Sequence, residues 1–263
     1  MGDVTRIERL RRDLERESAE ALMKIAAPGW LKFGSTEKRA VAITVLGEKG
    51  RGNVRVSRFL YELLCSDPSP DIQSAVANAM GQSGFVPLLG PSERDRLCHI
   101  AMSRLSASDD ASFTCSLLRL LGECEGVSGP QMAVVEGVIR TKQEQMGGEW
   151  KLAPVVVWTS YALIKRGYKA PECLDMLRSV LHIASQPILT FPVVGTATAQ
   201  AADVSMRLMA ARLTLLQAVT ALGSKAGPLE ADLLELARNP EFAEEPWRSQ
   251  LDRALGAIGA MRE

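Results

Sequence analysis

The chain has two histidines, His99 and His182, for acid–base or metal chemistry. No constellation of further ligands surrounds either in the sequence, so both read as ordinary helix residues and no metal site is expected. Five cysteines (Cys65, Cys98, Cys115, Cys124 and Cys173) make an odd set without a C-x-x-C pair. Neither a disulfide framework nor a zinc knuckle follows, and a reducing compartment fits best. Ser-His-Asp and Cys-His catalysis would need a positioned nucleophile, and no G-x-S-x-G elbow is present. Gly47-Glu48-Lys49-Gly50-Arg51-Gly52 places two cations among glycines in the order G-x-x-G-x-G. A phosphate cradle needs a strand before it and a helix N-terminus after it, whereas this run follows a helical pattern and reads as a turn. No catalytic residue, cofactor or enzymatic activity is therefore expected.

Residues suited to gripping another protein are easier to find. In residues 109–125, Phe113, Leu117, Leu121 and Cys124 take one side of a helix and Ser112, Ser116, Arg119 and Glu123 the other. In residues 151–166, Trp158, Tyr161 and Lys165 stand at i, i+3 and i+7 and share a face. Tryptophan and tyrosine anchor interfaces because they bury much area at low entropic cost. The same pair would serve equally well as core between neighbouring helices. Residues 184–202 form an insertion lacking any formal charge, with Ile188, Leu189 and Phe191 between two prolines. Its prolines, Gly195 and polar residues argue against a membrane span, which needs about 20 predominantly apolar residues. It is too apolar for a solvated linker, so it is expected to fold back on the protein or dock a partner.

Helices must position these residues. Hydrophobic residues make up 46% of the chain and aromatics only 5%, a balance that favours helices over strands. Apolar spacing predicts helices over residues 3–26, 35–49, 54–66, 70–83, 91–106, 109–125, 130–145, 151–166, 171–184, 203–224, 228–238 and 245–261. On the first, Glu8 with Arg12 and Arg16 with Glu20 mark a solvated face. On the helix of 203–224, Met206, Met209, Leu213 and Leu216 make one apolar stripe and Leu208, Leu215, Val219 and Leu222 another, so something must cover it. Pro70, Pro91, Pro130, Pro171, Pro228 and Pro246 stand where helices should begin, since the missing N–H costs nothing there. The intervals from Pro91 to Pro130 and on to Pro171 are 39 and 41 residues. Apolar residues followed by glycine at Leu46-Gly47, Met80-Gly81, Leu121-Gly122, Leu222-Gly223 and Leu255-Gly256 suggest left-handed helix caps. Two recurring markers imply stacked helical hairpins, six in all.

Along this array, Ser66-Asp67-Pro68-Ser69-Pro70-Asp71-Ile72-Gln73-Ser74-Ala75-Val76-Ala77-Asn78-Ala79-Met80-Gly81 resembles the inter-helix turn and second helix of a HEAT repeat. The resemblance to HEAT and armadillo-like α-solenoids covers most of residues 35–260. It implies an all-α, right-handed superhelical solenoid of about six stacked hairpins, a single domain over residues 1–263 with an apolar inserted loop at about 185–202. It also implies a concave surface, lined by second helices, that usually grips partner proteins. The polar stripe of Ser112, Ser116, Arg119 and Glu123 would belong to that surface. The expected function is a non-enzymatic scaffold or adaptor for protein–protein interaction. Alternatives are a HEAT-like enzyme of the DNA glycosylase or phycobilin lyase type, or a structural subunit of a larger assembly.

Lys plus Arg and Asp plus Glu each total 31, so nucleic-acid binding is not expected. The first 60 residues carry 13 basic and 8 acidic side chains, and residues 226–263 carry 4 and 8. Ends of opposite sign suggest weak, salt-sensitive head-to-tail self-association, with Arg9, Arg12 and Arg16 facing Glu241, Glu244 and Glu245. The charged N-terminal sequence fits neither a signal peptide nor a transit peptide, and Arg6 breaks the myristoylation pattern. A cytoplasmic location is expected.

Overall fold

In a computed structural model, the described residues are 2–28, 36–82, 84–108, 110–124, 133, 137, 153–168, 170–185 and 197–259. Every regular element among them is helical. The chain divides into two compact units, Met1–Gln131 and Met132–Glu263.

The first unit comprises α1 (Gly2–Leu14), α2 (Ala19–Ala26), α3 (Thr36–Lys49), α4 (Val54–Ser66), α5 (Pro70–Met80), α6 (Pro91–Ala107) and α7 (Ala111–Glu123), with a 3-10 turn at Val86–Leu88. The helix expected over residues 3–26 is broken in two. Ser18 caps α2, its hydroxyl accepting from Ala21 N at 3.2 Å. Lys49 Nζ donates to the carbonyls of Glu15 and Glu17 at 2.6 and 3.1 Å, holding the break open. Pro70 and Pro91 do begin helices, and at α6 the Glu93 carboxylate accepts from Gly90 N at 2.7 Å.

Helices α2 and α3, α4 and α5, and α6 and α7 pair as neighbours in sequence, while α3 packs on α5 and α5 on α7. By contrast, α2, α4 and α6 touch one another only lightly. The difference comes from small residues. A Cβ on Gly47 of α3 would lie 2.7 Å from Ala79 Cβ of α5, and one on Gly81 would lie 3.0 Å from Arg119 Cγ and Leu120 N of α7. Leu46, Leu60, Leu64, Ile72, Met80 and Leu97 are fully buried between the two rows. Burying a leucine-sized side chain contributes about 1.5–3 kcal/mol, so this interior is the main source of stability.

One buried ion pair joins successive hairpins. Asp67, in the turn from α4 to α5, pairs with Arg39 of α3, whose Nε donates to Ala26 O at the end of α2 at 3.0 Å. The carboxylate also accepts from Ser69 N at 3.0 Å, and Gln73 Nε2 donates to Asp67 O at 2.6 Å. These bonds offset the cost of removing the charges from water.

The second unit comprises α8 (Ala153–Lys165), α9 (Ala170–Ala184), α10 (Ala197–Leu222), α11 (Glu230–Leu236) and α12 (Trp247–Ile258), with 3-10 turns at Gly223–Leu229 and Pro240–Phe242. Helices α8, α9 and α10 pack mutually, α10 carries α12, and α11 rests on α12. Pro228 falls inside a 3-10 turn instead of opening the next helix. Of the expected inserted loop at 185–202, residues 197–202 belong to α10, because four alanines in six positions propagate a helix readily, and residues 186–196 lie outside the described residues. Arg212, on α10, is wholly buried. Its Nη1 pairs with Glu241 Oε2 at 2.7 Å, and its guanidinium lies 4.7 Å from the Phe242 ring and 5.8 Å from that of Trp247.

Candidate interaction surface

Helix α7 is flanked by α5 and α6, and that packing divides the polar stripe read from its sequence. Ser112 is exposed, whereas Arg119 and Glu123 are half-buried. Ser116 is buried, its hydroxyl donating to Ser112 O at 3.0 Å, so it lies inside the packing and not on a displayed stripe. A second helix with neighbours on two sides leaves only a narrow strip to solvent. Arg119 Nη1 reaches back across the row to Asn78 Oδ1 of α5 at 3.4 Å.

That contact points to residues the sequence reading passed over. Ser74, Asn78 and Gln82 recur every four residues along and just beyond α5, and each is half-buried. Gln82 Oε1 accepts from Arg51 Nη2 at 2.7 Å. Arg51, Gln82, Asn78, Arg119 and Ser112 thus form a polar edge along the row of second helices. The four-residue spacing of polar side chains in an otherwise apolar helix was the signal available.

Trp158 and Tyr161 do share a face, but it is turned inward. Both are buried in the second unit, at 6% and 1% exposure, with ring centroids 5.3 Å apart in an edge-to-face arrangement. They act as core, and displaying them to a partner would require exposing that core. Lys165 Nζ lies 5.8 Å from the Tyr161 centroid. Ile188, Leu189 and Phe191 lie outside the described residues.

Both histidines are exposed, on α6 and α9. Among the described residues, no three His, Cys, Asp or Glu side chains gather as metal ligands, and no helix is long and apolar enough to cross a membrane. None of the five cysteines is in a disulfide. Burial pushes the Cys115 thiol up to about 12, with Asp110 adding to the effect, so it remains protonated and a poor nucleophile. Burial also raises the Tyr61 phenol, assisted by its hydrogen bond with Cys65, and lowers the Arg104 guanidinium. The glycine run ends as a turn: Gly52 has φ +78°, and Asn53 Oδ1 accepts from Arg55 N and Val56 N at 2.9 and 3.3 Å to start α4.

Two clefts remain. An open groove of about 790 Å³ lies between α2 and α4, with Met23, Val54 and Phe59 among charged residues of both helices. A polar cleft of about 470 Å³ lies between α9 and α11. There Arg178 donates to Asp232 Oδ2 at 3.2 Å, to Asp175 Oδ1 at 2.7 Å and to Pro228 O at 3.0 Å. These carboxylates, Asp232 foremost, raise the guanidinium pKa, and the bonds occupy the cation within its own unit.

No protein-family model, curated protein or solved structure matches this chain.

Proposed function

We propose that the chain is a HEAT-like array of helical hairpins acting as a non-enzymatic scaffold or adaptor in the cytoplasm, with a partner protein held along the row of second helices. The observation that carries the reading is the asymmetry of the first unit: α3, α5 and α7 approach closely at Gly47 and Gly81, while α2, α4 and α6 splay apart. Tight approach on one row and looser spacing on the other curves an array toward the tight row. The polar edge of Arg51, Asn78, Gln82, Ser112 and Arg119 then lies on the concave side, where one extended partner could meet several repeats. Polar side chains suit such a surface because its bound and unbound states must both be stable in water.

The test is site-specific photocrosslinking in cells, with the reactive group placed in turn at Asn78, Ser112 and His99. The reading expects the same adduct from Asn78 and Ser112 and none from exposed His99 on α6. Purified protein carrying Asn78→Ala and Arg119→Glu should bind the captured partner at least about tenfold more weakly, equivalent to about 1.4 kcal/mol. Equal adducts from His99, or undiminished binding by the variant, would overturn the reading.

A further inference from the structure

We draw no further inference here: the strongest candidate, the open groove between α2 and α4 with exposed Val54 among its lining residues, has Arg55 and Arg58 already beside Glu20 and Glu93, and nothing in the structure shows what covers it.

Discussion

Among individual residues, Arg212 of the second unit stands out because its side chain is wholly buried, with Glu241 and two aromatic rings among its partners. Removing one partner of such a pair leaves a buried charge uncompensated, a loss of about 3–5 kcal/mol. Glu241→Gln should therefore lower the urea midpoint markedly. The double variant Arg212→Met, Glu241→Leu should recover part of that loss, because no charge then remains buried; a double variant as unstable as the sum of its parts would show that the pair is not coupled. Cys115 makes a different prediction, through pH. Its folded thiol ionises near 12, above the ordinary 9.0, so folding favours the neutral form. That contribution is complete below about pH 9 and is lost as pH rises toward 12, at a limiting slope of about 1.4 kcal/mol per pH unit for one group. Cys115→Ala should unfold less steeply with alkali than the parent protein, as followed by urea melts between pH 9 and 11. An unchanged slope would mean that the thiol does not contribute.

Among elements, prolines and glycines marked helix ends unevenly, and through different physics. Pro70 and Pro91 open helices because a first-turn residue needs no N–H, a local property that sequence displays directly. Pro228 fails the same inference because its turn continues from Gly223 as 3-10 structure. The glycines were read as left-handed caps, yet among Gly47, Gly81, Gly122, Gly223 and Gly256 only Gly223 has positive φ. Gly47 and Gly81 instead permit helices to approach, which depends on a neighbour more than thirty residues away that sequence spacing alone does not reveal. The break between α1 and α2 has a local mark in the Ser18 cap and a distant one in Lys49, which donates to the carbonyls of Glu15 and Glu17 and is not visible from spacing. Likewise, the Ser112 stripe was correct as periodicity, but the side facing α5 could not be known without that packing. The two glycine roles separate experimentally. Gly47→Ala would place a methyl 2.7 Å from Ala79 Cβ and should cost about 1–3 kcal/mol by overpacking, relieved in part by adding Ala79→Gly. Gly256→Ala, within α12 and with open space around its Cβ, should stabilise by about 0.5–1 kcal/mol through helix propensity. Thermal melts of the three variants decide between the roles, and a neutral Gly47→Ala would remove the close-approach explanation.

For the whole molecule, balanced charge hides an uneven distribution, and the structure alters what that distribution can do. The basic excess of the first 60 residues could suggest a nucleic-acid track, the feature on which a glycosylase-like alternative would depend. Several of its arginines are already matched with carboxylates: Arg6 with Glu37, Arg11 with Glu48, Arg39 with Asp67, and Arg55 with Glu20. Backbone binding draws affinity from releasing counterions around phosphates, and an arginine already beside a carboxylate releases fewer when it meets one. Each exposed pair contributes little to folding, yet together they dilute the positive potential that would draw in a polyanion. Duplex and single-stranded DNA should therefore bind with dissociation constants no tighter than about 10⁻⁴ to 10⁻⁶ M at physiological salt, the non-specific range. A fluorescence-anisotropy titration at about 150 mM salt, repeated at about 50 mM, measures both affinity and salt slope. Submicromolar affinity with a steep slope would show that the internal pairs yield to phosphate, and the polar edge bearing Arg51 and Arg119 would then be reconsidered as a nucleic-acid surface.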